Sequence, residues 1–188
     1  MKKRFGLAVG ILVTTLSVLT MSSFAFGVLL GQFNDRKALP CHEIPGTPQP
    51  SEGNRHLAYH NAPHDPYKTI PPTSGPHSPR VVIPGIYRAP IPPELQVHIL
   101  EHGHVLLQYA AGTSPADIDR LERIGRRHPR DVIVAPYRDL PTGIALTAWQ
   151  RLDKLDALDN NRIEDFITKV AGRYDHQWRN GATDCLTP

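Results

Sequence analysis

The sequence predicts a small α+β domain. It should hold a sheet of about four strands with two helices on one face, preceded by an N-terminal transmembrane helix and a proline-rich arm. Three observations carry this expectation. A charge-free stretch runs from Phe5 to Asn34. Fourteen of the nineteen prolines fall between Pro40 and Pro93. Beyond them, segments rich in Val, Ile, Leu and Tyr alternate with two stretches whose apolar residues recur at helical spacing.

The charge-free stretch follows Lys2-Lys3-Arg4. About 20 apolar residues cross a hydrocarbon core about 30 Å thick. A basic flank stays in the cytoplasm. Residues 1–35 therefore read as a short cytoplasmic Lys-Lys-Arg and a signal anchor. That places the chain in the cytoplasmic membrane, single-pass, with its C-terminal domain outside the cytoplasm. The apolar run through Phe26-Gly27-Val28-Leu29-Leu30 favours the anchor. Ser23-Phe24-Ala25 resembles a small-x-small cleavage site and keeps a cleaved signal peptide as the alternative. Lys2, Lys3 and Arg4 also carry the whole formal net charge of +3, so the rest of the chain is balanced. The pI near 9.0 is then no sign of nucleic-acid binding, and nucleic acid is not an expected partner.

Residues 36–75 read as an extended Pro/His-rich arm, because proline removes amide donors and disfavours helix at the residue before it. Residues 76–175 read as the α+β domain, and 176–188 as a loose C-terminal tail. Within the domain, Gln96 to Tyr109 is rich in β-formers with Gly103 in the middle, which predicts two strands or one bent strand broken at that glycine. Ser114-Pro115 opens a helix with Asp117 in its first turn; Ile118, Leu121 and Ile124 give its buried stripe, and Pro129 closes it. Asp131 to Pro136 and Ile144 to Trp149 are strands, the second holding Trp149 as a core residue. Asn161 opens the last helix with Glu164 completing a capping box, Ile163, Phe166, Ile167 and Val170 face the core, and Gly172 ends it.

The densest chemistry is His98-Ile-Leu-Glu101-His102-Gly-His104. On a helix, His98 and His102 share a face, as in H-x-x-E-H zinc hydrolases where the glutamate is the general base. On a strand, positions 98, 100, 102 and 104 share a face and Glu101 points the other way. Val97, Ile99, Gly103 and Pro92-Pro93 argue for the extended reading. A second feature, Pro71-Pro-Thr-Ser-Gly-Pro-His77, is a rigid loop able to present His77 at a fixed place. Neutral imidazoles from His77, His98 and His102 suit copper or zinc, with Glu101 as a fourth ligand or as the group that orients an imidazole. Of the arm histidines, His42, His56, His60 and His64, His56 and His60 are the least dismissible. Asp153, Asp156 and Asp159 read as capping and solubilising residues, because the glycine and terminal glutamate of a calcium loop are missing. No P-loop, dinucleotide loop, C-x-x-C or G-x-S-x-G is present. The two cysteines, Cys41 and Cys185, either pair as a disulfide in an oxidising compartment or stand as separate thiols.

Pro71 to His77, Gly85-x-Tyr87, Glu94-x-x-Val97-His98-x-Leu100-Glu101-His102-Gly103, Pro136-Tyr137 and Leu146-Thr-Ala-Trp149 together resemble the bacterial domain-of-unknown-function family DUF3105. The resemblance runs from about His56 to Tyr174. It implies an N-terminal membrane anchor and an outward-facing domain, and it singles out His77, His98, Glu101 and His102. His104 lies outside its motif. Where members often carry a cysteine before Gly-x-Tyr, this chain has Pro84, while Cys185 matches a later one. Cys41 would have to replace the missing partner.

The expectation is thus an extracytoplasmic, membrane-anchored metal-binding accessory or chaperone-like protein. It would take copper or zinc and work with an envelope protein partner. The alternatives are a non-catalytic interaction module with structural histidines, and a zinc hydrolase with Glu101 as base.

Overall fold

Six strands, three α-helices and one 3-10 turn are found among residues 39–173, the part of the chain that the computed structural model describes. The expected anchor, the tail and Cys185 lie outside the described residues. No helix among the described residues is long and apolar enough to cross a membrane.

The strands are β1 (Thr47–Pro48), β2 (Gly85–Ile86), β3 (Val105–Tyr109), β4 (Val132–Pro136), β5 (Ile144–Ala148) and β6 (Arg151–Leu155). They form one mixed sheet in the order β1-β6-β5-β3-β4-β2. The trio β2, β4 and β3 is parallel; β3, β5, β6 and β1 run antiparallel in turn. The helices are α1 (Pro93–Glu101), α2 (Pro115–Arg127) and α3 (Asn160–Val170).

The registers set Leu107 beside Val134 and Leu146, and Leu146 beside Asp153, on one face. On that face α2 lies so close that a Cβ at Gly125 would sit 2.6 Å from Val134 Cγ2. Helix α3 reaches the same face through Arg162, whose Nε donates to Asp153 at 2.9 Å. Helix α2 is tied to α3 where Arg127 and His128 both donate to Glu164. The opposite face carries Leu106, Ile133 and Ala135, packed with Val97 and Leu100 of α1, Ile91 and Trp149. Here also runs a buried amide chain. Gln96 Nε2 donates to the Ile91 carbonyl at 2.6 Å, Gln108 Nε2 to Gln96 Oε1 at 2.8 Å, and Thr147 Oγ1 to Gln108 Oε1 at 3.1 Å.

This architecture corrects the expected four strands and two helices. The largest departure is α1, which takes the place of the first predicted strand. Pro93 is its first residue, Glu94 its first-turn acid, and residues 96–101 are all buried. A helix buried all round shows no amphipathic period, so its β-branched residues read as strand. Gly103, read as a strand break, is the helix stop at φ +83°. Its N–H donates to Leu100 O at 2.9 Å and the His104 N–H to Ile99 O at 3.4 Å, the paired bonds of a glycine C-cap.

The other departures are small strands and one cap. β6 hides because its buried face carries Arg151 and Asp153. Arg151 Nη1 donates to the Ile44 and Gly46 carbonyls, and Asp153 accepts from Arg162. β1 and β2 are two-residue pieces among prolines at the two sheet edges, where a missing N–H is tolerated. The cap of α3 is Asp159, whose carboxylate accepts from Asn161 N and Arg162 N, in place of the predicted capping box.

Candidate metal centre

Helix α1 carries His98 and Glu101, three residues and about one turn apart. The loop ending at His77 approaches α1 beside them. His77 is fully buried, and its Nδ1 donates to the Gly75 carbonyl at 2.8 Å. Gly75 sits at φ +121°, where a side chain is strained, and a Cβ there would press the Tyr67 ring at 3.0 Å. The arm then runs alongside this loop. Gly75 N donates to Gly53 O, His77 N to Arg55 O and Leu57 N to His77 O, at 2.8, 3.0 and 2.7 Å. That pairing sets His56 opposite His77.

Four groups converge as a result. One donor atom from each of His56, His77, His98 and Glu101 lies within 4.8 Å of the others. His56 Nε2 is 3.6 Å and His77 Nε2 3.0 Å from Glu101 Oε2. The His56 ring stacks on His98 at 5.4 Å and meets His77 edge-on at 4.7 Å. Trp149, buried just past the end of β5, meets the His77 ring nearly at right angles at 6.3 Å.

Three of the four predicted site residues, His77, His98 and Glu101, are in this set. His102 is not: it caps the helix with its ring centroid 4.7 Å from that of His98. His56 takes the remaining place. Its sequence signal was slight, a short Leu57-Ala58-Tyr59 following it in a polar stretch, and Leu57 is the buried residue that anchors this part of the arm. His60 and His64 go elsewhere, to Ser78 and to Glu94. Cys41 is not a free thiol; its expected partner Cys185 is outside the described residues, so their pairing stays an expectation.

The electrostatics of the set are unusual for a structural cluster. His98 is 4% exposed, and neither ring nitrogen has a hydrogen-bond partner among the described residues. Burial is the main reason its pKa is pushed down from 6.5 to about 4, with His102, His77 and His56 adding and Glu101 opposing. It is therefore a neutral imidazole at ordinary pH, with a lone pair to offer. Buried polar atoms are nearly always paired, so an orphaned pair of ring nitrogens points to an ion or water. His77 makes a complementary demand. With Nδ1 donating to Gly75, a neutral His77 would aim the lone pair of Nε2 at a carboxylate oxygen. That contact needs a proton or a metal ion between the two groups.

A protein-family profile described as "Protein of unknown function (DUF3105)" matches residues 61–184. The chain belongs to the DUF3105 family. The DUF3105 match takes in His77, His98, Glu101 and His102 and begins downstream of His56. No curated protein and no solved structure matches the chain.

Proposed function

We propose that the domain is a metal-binding accessory module of the cell envelope, taking one copper or zinc ion through His56, His77, His98 and Glu101. The observation that carries this is His98, a buried imidazole with both nitrogens unpartnered, standing among three other donors. Three imidazoles and a carboxylate suit zinc or copper(II), and the lack of a thiol in the set disfavours copper(I). With metal–imidazole bonds of about 2.0–2.1 Å, tetrahedral ligands stand roughly 3.3–3.4 Å apart. The 3.0 and 3.6 Å separations at Glu101 bracket that spacing. The widest gap in the set, up to 4.8 Å, would close by up to about 1.4 Å on loading. The envelope placement is supported by Lys2-Lys3-Arg4 and the charge-free stretch behind it.

The test is titration of the purified full-length chain with zinc and with copper(II). One ion per chain is expected, and none with His98→Ala. Absence of binding, or equal affinity in His98→Ala, would end the reading. A reporter active only outside the cytoplasm, fused after Pro188, tests the placement.

One observation favours the hydrolase as a second reading: the backbone through His98–Glu101 is helical. However, His102 stands outside the convergent set, and Glu101 is spaced as a co-ligand. Hydrolysis by the zinc-loaded protein, removed by Glu101→Gln without loss of zinc, would favour that reading. Purely structural histidines agree with the two hydrogen bonds of His77 but leave His98 unexplained.

A further inference from the structure

We infer that His56 is the exchangeable ligand of this centre, and that the slot it fills accepts an imidazole from outside the domain. A partner then gains its first bond to the ion by a single ligand swap, and transfer is completed only as the bonds to His77, His98 and Glu101 break in turn. This rests on the metal reading above and adds the point at which a partner first engages the ion.

The four donors are not equivalent. His77, His98 and Glu101 are 0%, 4% and 5% exposed, whereas the side chain of His56 is 55% exposed. The three buried groups sit on a helix and on a loop held from both sides. His56 alone can turn its ring away without opening buried structure. Its backbone does not have to move, because Leu57 is buried beside it and the bonds to Arg55 O and from Leu57 N hold the chain on either side. A rotation of its side chain is enough.

The slot left behind has a shape. One wall is the face of the His98 ring, only 27° from parallel with His56, and the other is the His77 ring, at 86° to it. A flat five-membered ring fits between them and presents a nitrogen to the ion. The incoming donor is therefore a neutral imidazole, as on a histidine of a partner protein. In the swap one nitrogen–metal bond breaks and one forms, and neither the oxidation state nor the charge of the centre changes. An exposed ligand of this kind suits an ion carried as cargo.

Cobalt(II) serves as the probe, because its visible absorption reports its ligands. Wild-type full-length protein is read first, and one bound cobalt per chain is expected. His56→Gly should still bind one cobalt, about 100-fold more weakly and with an altered band. Millimolar imidazole should restore both band and affinity, and acetate should not. His56→Ala, which keeps an ordinary backbone preference, should behave alike. His98→Leu, which fills its own space, should bind none. Failure of wild type to bind would overturn the metal reading and this inference with it. Binding by wild type, with His56→Gly either unaffected or beyond rescue by imidazole, would overturn the inference alone.

Discussion

The His77 and Glu101 side chains meet at 3.0 Å although Gly75 already takes the Nδ1 proton of His77. The carboxyl group therefore faces a ring nitrogen across a contact that needs a proton or a metal ion. In the proposed centre a metal ion fills that role.

Glu101→Gln removes the negative charge and keeps the shape. Changes to groups that only support metal ligands cost 10- to 100-fold in affinity, so loss of a ligand should cost about 100-fold or more. Competition titration of zinc against a chelator measures this. An unchanged affinity would remove Glu101 from the ligand set.

His98→Leu should separate stability from binding. It replaces two buried, unpartnered nitrogens by an apolar group of similar bulk. The metal-free variant should be more stable than metal-free wild type by about 1–2 kcal/mol, while metal binding disappears. Urea unfolding in the presence of a chelator tests it. A large loss of stability would make His98 a structural residue.

The contrast between His98 and His56 shows how far the sequence was readable. His98, Glu101 and His77 stand out because two short motifs concentrate them. The helices after Ser114 and before Gly172 were legible from caps and from one-sided apolar stripes. Helix α1 was not, because a helix buried all round shows no stripe, and strand β6 was masked by Arg151 and Asp153 on its buried face. His56 was the least legible. Its position depends on backbone bonds between residues 53–57 and 75–77, which no side-chain pattern announces.

Acid should weaken the metal-free protein through His98. Its folded pKa, about 4, lies below the ordinary 6.5. Between those values the unfolded chain holds the proton and the folded chain does not, so acidification favours unfolding. Relative to neutral pH, stability should fall as pH drops from about 6.5 towards 4, by on the order of 3 kcal/mol from this residue. Urea midpoints at pH 7, 6 and 5 follow it, and His98→Leu should show a shallower fall. An equal fall in both proteins would remove His98 as its source.

Gly125→Ala should destabilise the domain. Alanine favours helix over glycine by about 1 kcal/mol. Its Cβ would nevertheless stand 2.6 Å from Val134 Cγ2 and 2.9 Å from Ile86 Cδ1, forcing α2 off the sheet. Overpacking of this kind costs about 1–3 kcal/mol, enough to outweigh the gain. Thermal unfolding measures the sign, and a stabilised variant would refute the close approach.

Gln96 is held at both ends of its amide, by the Ile91 carbonyl and by Gln108. It acts as a rotational key for α1. Turning the helix by one residue swings every side chain through about 100°, which would break both bonds and carry His98 and Glu101 out of alignment together. The aim of the two helical donors is thus specified by three uncharged side chains, Gln96, Gln108 and Thr147, that take no part in ligation themselves.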